Sequence, residues 1–193
     1  MEREKITILP FEGEGVDYLL EIADSELGKG YVSREQILSS STFTDIAVLG
    51  GEIIGFSCGI VKNGKEFFLE NGQFPSGIKK RMLIHERIGI TKSLAIRKDR
   101  QNLGVGTSLF AVRIENFRKL GAGAVLMPGW QYPGGTTAID GIARRFGFRK
   151  LGTVKDYYYR DSIKRQYSCP VCGPPPCRCS AVIYFLELVE GNG

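Results

Sequence analysis

A chain of 193 residues, 42% hydrophobic and 24% charged, can bury a sizeable core and lies far from a disordered composition. Its formal charge of +5, from 26 basic and 21 acidic residues, suits an anionic ligand. It argues against a nucleic-acid partner, because no Lys/Arg block dominates one segment. No run approaches the ~20 apolar residues of a membrane span, and no signal-peptide core is visible. The expectation is therefore a cytoplasmic protein with no membrane partner, organised as one domain over residues 1–193.

Residues 6–9 read as a first strand. From 16 to 27, Val16, Leu19, Leu20, Ala23 and Leu27 recur at helical spacing. Ser33 followed by Gln36 is a capping box, which predicts a short second helix. Residues 46–49 and 53–61 have strand character, and Gly50-Gly51 between them marks a tight hairpin. Residues 66–81, with Gly72, Pro75 and Gly77, predict a loop or an irregular strand.

Residues 87–97 predict the central strand, and it runs into a glycine turn, Gln101-Asn102-Leu103-Gly104-Val105-Gly106-Thr107. Glycine lets the backbone approach a ligand closely. The helix predicted over 107–120 aims its unpaired N–H groups and positive dipole end at that turn. The result is an anion seat sized for a phosphate or pyrophosphate. Phe110, Ile114 and Phe117 form the apolar side of this helix, Leu109, Val112 and Leu120 widen it, and Gly121 closes it. Residues 124–127 predict a strand and 128–135 a turn-rich connection. Thr136 or Thr137 would cap a helix reaching Phe146, which Gly147 ends. Residues 148–159 and 181–189 predict the last two strands. A mixed, mostly antiparallel sheet flanked by helices follows from this order, an α/β fold. Edge strands near the C-terminus would suit a homodimer.

Between the last two strands lie Cys169, Cys172, Cys177 and Cys179, an insertion at about residues 166–180. Four thiolates at this spacing can surround a tetrahedral zinc ion. Gly173 and the prolines around it enforce turns, and Val171 is the only large apolar residue in the stretch besides the cysteines. Metal binding would supply the folding energy that burial cannot. With four protein thiolates no coordination position is open, so the zinc would be structural. An iron–sulfur cluster and paired disulfides are the alternatives. The fifth cysteine, Cys58, fits a core position.

The strand Leu94-Ala95-Ile96, the turn Gln101-x-x-Gly104-x-Gly106 and the long helix after it resemble the GNAT superfamily of acetyl-CoA-dependent N-acetyltransferases. So does the later Ala143-Arg-Arg-Phe146-Gly147-Phe148. The resemblance covers roughly residues 4–160 and the last strand, and it implies the acyl-CoA N-acyltransferase fold. It further implies that amides of residues 102–107 hold the pyrophosphate of coenzyme A. The main chain of Leu94, Ala95 and Ile96 would pair with its pantetheine arm, and an N–H near Ile96 would receive the oxyanion. The central strand would part from its neighbour, where Pro128-Gly129 suits an early end to pairing. The activity implied is acetyl transfer to a primary amine by direct attack, with the acceptor unspecified.

The chain departs from the family at Ala143, where many members carry a tyrosine acid. Tyr158, in the run Tyr157-Tyr158-Tyr159 expected on a strand, is the substitute acid. Glu86, beside His85 at the start of the central strand, is the candidate base. Trp130, Gln131 and Tyr132 are candidates for lining the acceptor pocket. Two readings without catalysis remain open: an acyl-CoA-sensing module and a metal-organised protein-interaction module.

Overall fold

In the computed structural model, which describes residues 5–71, 74–132, 135 and 137–188, the elements follow in the order β1 (Thr7–Pro10), α1 (Val16–Leu27), α2 (Arg34–Leu38), β2 (Thr42–Leu49), β3 (Glu52–Asn63), α3 (Gly64–Glu70), α4 (Ser76–Met82), β4 (Arg87–Ile96), α5 (Val105–Lys119), β5 (Ala124–Gln131), α6 (Asp140–Arg145), β6 (Arg149–Val154), α7 (Tyr159–Arg165) and β7 (Ser180–Glu187). The strands form one mixed sheet in the order β1-β2-β3-β4-β5-β7-β6. Every neighbouring pair is antiparallel except β4 and β5. Gly50 and Gly51 both take positive φ in the β2–β3 turn, the geometry that matches hairpin twist.

Side-chain alternation along the strands makes two apolar faces. On one, Phe110, Ile114 and Phe117 of α5 cover Val125 and Met127 of β5 and Val182 of β7. On the other, α3 and α4 contribute Phe67, Phe68, Ile78 and Met82 against Ile88, Ile90, Leu126 and Ile183. Helices α1 and α2 lie over Phe56, Cys58 and Ala95 on that same side. Ile88, Ile90 and Ala95 share a face although their numbers differ in parity. The bulge in the β3–β4 register at Lys92 supplies the extra residue.

Three expectations are corrected. Residues 66–70 lie in α3 and residues 76–81 in α4, where a loop or irregular strand was expected. The Asn63 side chain accepts from the amides of Lys65 and Glu66, and the rings of Phe67, Phe68 and Phe74 meet edge to face or tilted. The expected strand over 148–159 ends at Val154. The chain then turns through Asp156, at positive φ, into α7. The expected helix cap at Thr137 is absent: its hydroxyl pairs with the Tyr184 hydroxyl at 2.7 Å, and α6 begins at Asp140. Thr136, the other candidate, lies outside the described residues. Gly121 does close α5, with Ala122 N–H donating to the Phe117 carbonyl.

Phe117 sits against two glycines on neighbouring strands. A Cβ on Gly89 would stand 2.5 Å from its ring, and one on Gly59 3.0 Å. Gly89→Val should therefore cost about 1–3 kcal/mol by overpacking. Gly77→Ala, where an added Cβ meets nothing within 4 Å, should be neutral or stabilising by up to about 1 kcal/mol. Urea unfolding of the two variants measures both.

Candidate functional site

Strands β4 and β5 pair only from Ile88 with Ala124 to Ile90 with Leu126. Beyond that point β5 turns away and stays paired with β7 as far as Gln131. Arg97 N–H donates to Ile54 on the β3 side at 2.9 Å. Strand alternation then turns the amides and carbonyls of Leu94 and Ile96 to the open side. The gap between the strands is a cleft of about 650 Å³. Leu94, Ala95 and Ile96 wall one flank, and Pro128, Gly129 and Trp130 the other.

The glycine turn closes one end of this cleft. Asn102 and Gly104 both have positive φ, and Gly104 is the residue before α5. Helix α5 starts two residues earlier than its expected Thr107 start. The Gln101 side chain donates to the Ile96 carbonyl at 3.1 Å and to Glu26 at 2.9 Å, tying the turn to the strand end. Among the described residues, no acceptor takes the amides of residues 102–107. Left-handed turns followed by a helix N-terminus gather such amides into an anion-binding concavity. Gln101, Asn102, Gly104, Val105, Gly106 and Thr107 all line the cleft, whereas Leu103 is exposed and outside it.

Beneath the cleft the Arg113 guanidinium is fully buried and donates to the Ser93 carbonyl at the bulge. Burial lowers its pKa to about 10, opposed by Cys58 and Asp45. Asp45 is buried as well. Desolvation raises its pKa, opposed by Arg113 and by the amide of Asn116 at 2.9 Å.

The far end of the cleft is walled by the cysteine loop, with Cys169 and Cys177 in its lining. All four sulfurs, of Cys169, Cys172, Cys177 and Cys179, lie within 4.8 Å of one another. Three of the separations are 3.8, 3.6 and 3.9 Å. Sulfurs ~2.3 Å from a common tetrahedral centre stand ~3.8 Å apart, so the donor set fits one ion. The amides of Cys172 and Arg178 point at the sulfurs of Cys169 and Cys172, at 3.3 and 3.4 Å. The buried Trp130 indole N–H has no hydrogen-bond partner and favours the Cys179 thiolate. Burial otherwise pushes the Cys177 and Cys179 thiols up, so a cation is what would hold this set deprotonated. The loop is anchored from outside: Cys177 N–H donates to Ser162 at 2.8 Å and Ser168 N–H to the Lys29 carbonyl at 2.9 Å.

Tyr158 lines the cleft, but from the turn before α7 rather than from a strand. Its ring meets Tyr157, Tyr31 and Trp130 edge-on, with centroids 4.9, 6.3 and 6.4 Å apart. Burial raises its pKa well above that of an ordinary phenol, and Tyr31 adds to the shift. Glu86 lies elsewhere. It is exposed at the N-terminal end of β4 and lines neither this cleft nor the neighbouring cavity described below. At ~3.3 Å per residue the strand separates it from Leu94 by roughly 26 Å. His85 is at the same remote end, 3.6 Å from Glu187. Ala143 is buried in the core beside Phe110 and Phe148. Sequence reasoning missed Tyr31, Lys92 and Arg113. The last carried a signal in hindsight, as a basic residue on the otherwise apolar face of α5.

A second cavity of about 580 Å³ adjoins the cleft on the side of α2, α3 and α7, and shares Tyr31, Thr91, Lys92, Ser93, Pro128 and Tyr158 with it. No described helix is long and apolar enough to cross a membrane.

This arrangement is the GNAT fold, and solved acetyltransferase structures match it. NAA60 of Arabidopsis thaliana in complex with acetyl-CoA aligns at a TM-score of 0.66 and 12% identity, over 96% of this chain and 100% of that one. A GNAT family acetyltransferase from Elizabethkingia anophelis with acetyl-CoA bound gives 0.58 and 19%, over 95% and 98%. The polyamine N-acetyltransferase of Drosophila melanogaster gives 0.62 and 14%, over 95% and 100%. No protein-family model and no curated protein sequence matches the chain. At these identities the likeness is one of fold.

Removing Arg113 should unsettle the floor of the cleft. Arg113→Met leaves the partly buried Ser93 carbonyl without its donor and removes a charge that favours the Asp45 carboxylate, and unfolding in urea should show a loss of about 1–3 kcal/mol.

Proposed function

We propose that the protein is an acetyl-CoA-dependent N-acetyltransferase acting on a primary amine. The observation that carries this is one continuous surface: among the described residues, free amides at 102–107 lead directly to the β4 edge at Leu94 and Ile96, which β5 does not cover. In this reading the pyrophosphate of coenzyme A takes the amides of residues 102–107. The pantetheine arm pairs with Leu94, Ala95 and Ile96 as an added strand, read by backbone groups alone. The thioester then lies near the bulge, where the cleft and the second cavity meet, and the amine enters from the second cavity.

A neutral amine attacks the thioester carbonyl, and a main-chain amide on the open edge of β4 beside the bulge takes the developing oxyanion. The carbon–sulfur bond breaks and the thiolate leaves. Tyr158, which burial keeps protonated, gives that thiolate its proton. The proton shed by the acetylated nitrogen restores the phenol. The distance of Glu86 from the cleft leaves it no part in this scheme. Loss of the usual tyrosine at Ala143 supports the second reading, an acyl-CoA-binding module without catalysis. Release of free coenzyme A across a panel of primary amines supports the first, and acetyl-CoA binding without release supports the second.

We also assign Cys169, Cys172, Cys177 and Cys179 to a structural zinc site that orders one wall of the cleft. When bound, zinc supplies cross-linking and thiolate charge balance, and takes no part in acetyl transfer.

Calorimetry with acetyl-CoA checks the cofactor assignment. Gly104→Val puts a branched side chain where φ is +82° and should raise Kd at least tenfold, about 1.4 kcal/mol. Metal analysis should find one zinc per chain. Cys172→Ser should lower Tm by at least about 6 °C, on a scale of roughly 2–4 °C per kcal/mol for a chain of this size. An unchanged Tm in a metal-free variant would remove the zinc assignment.

A further inference from the structure

Lys92 occupies the one position in β4 where the register slips, between the pairs Thr91 with Gly59 and Ser93 with Cys58. It lines both cavities at their junction. Its side chain is open to solvent, and partial desolvation by the surrounding walls lowers its pKa. Among the described residues it has no ion pair and no hydrogen bond.

The other charged groups of the second cavity are accounted for. Lys62 pairs with Glu70 at 2.8 Å, and Arg165 with Asp161 at 3.0 Å. Glu35 sits at the exposed start of α2, where the Ser33 hydroxyl lowers its pKa. Asp161 favours the Lys92 ammonium, while Arg165 and Lys62 oppose it. A lone cation therefore stands where the two reactants would meet.

An unpaired ammonium facing the junction is free to form a charge-assisted bond with an anion that a ligand brings. Pantetheine carries no charge along this stretch. The anion seat at Gly104 lies beyond Ile96, and four residues of strand, at ~3.3 Å each, put roughly 13 Å between Lys92 and Ile96. An anion to meet Lys92 would then come with the acceptor.

We infer that Lys92 selects the acceptor, and that the acceptor is a small primary amine carrying an anionic group, carboxylate or phosphate, close to the nitrogen acetylated. This rests on the acetyltransferase reading above. Lys92 acts as a point charge, so both anions fit it. A polycationic amine would be repelled from the junction.

The test is coenzyme A release from matched acceptor pairs: alanine against ethylamine for a carboxylate, and phosphoethanolamine against ethanolamine for a phosphate. In the wild type at least one anionic member should exceed its partner at least tenfold in kcat/KM. Lys92→Gln should bring that ratio close to one through KM, Lys92→Glu should invert it, and Lys92→Arg should keep it. The pair showing the larger ratio tells carboxylate from phosphate.

A wild-type ratio near one in both pairs overturns the inference. So does a Lys92→Gln variant that lowers kcat equally for both members, since that would put the ammonium at the thioester carbonyl. Failure of the acetyltransferase reading looks different: no amine releases coenzyme A. In that case the same pairs are titrated into protein saturated with acetyl-CoA. Preferential binding of an anionic member, abolished in Lys92→Glu, sustains the inference; equal or absent binding overturns it.

Discussion

The sheet can open only because β4 stops pairing with β5 after three residues while each strand keeps its other neighbour. Strand β4 remains bonded to β3, and β5 to β7, so the gap costs no strand its place. The bulge at Lys92 shifts parity, and Leu94 and Ile96 then turn their side chains toward Val105 and Leu109 of α5. Their main-chain groups face the cleft. Arg113 holds the Ser93 carbonyl from below at the same point. A bulge bends and twists a strand, and here it coincides with the place where the strands separate. The free strand edge and the junction of the two cavities both lie at that one irregularity.

The two ends of the cleft are built by different physics. At the glycine end, backbone donors are organised by helix geometry and two left-handed residues, and α5 is secured by burial of Phe110, Ile114 and Phe117. At the cysteine end there is little to bury: Val171 is more than half exposed. Order there comes from the convergence of four sulfurs and from bonds to Ser162 and Lys29. A metal in that set would replace the missing hydrophobic term, and it would do so in a wall of the cleft itself. The aromatic cluster of Tyr31, Tyr158 and Tyr167 joins this wall to α7, with the Arg165 guanidinium stacked over Tyr31 and Tyr167.

Local signals in the chain were legible where a residue type has a single structural use. Ser33 and Gln36 form their capping box, Gly50-Gly51 turns the hairpin, α1 spans Val16–Leu27, and Gly121 stops α5. The helices over 66–70 and 76–81 are hard to read from sequence because Pro75 and Gly77 look like loop punctuation. In the fold Pro75 is a helix entry and Gly77 lies in the first turn of α4, and the aromatic cluster around Phe74 overrides local propensity. The tyrosine run was misread for the opposite reason. Aromatic residues favour strands, but Asp156 turns the chain and Tyr158 is buried from a helix start.

The sequence alone determined the mixed sheet, the glycine turn ahead of a long helix and the proximity of four cysteines, because each is encoded within a few residues of chain. Only the tertiary structure decided which side chains share the cleft. Lys92 stands at the bulge, and Leu94 and Ile96 beyond it turn toward α5 because the bulge shifts parity, which pairing with β3 reveals and periodicity cannot. Glu86 is excluded by the length of a rigid strand, and Tyr158 is admitted by the turn into α7. Functional proximity across a sheet depends on register and on where strands part, and both are set by contacts between segments distant in the chain.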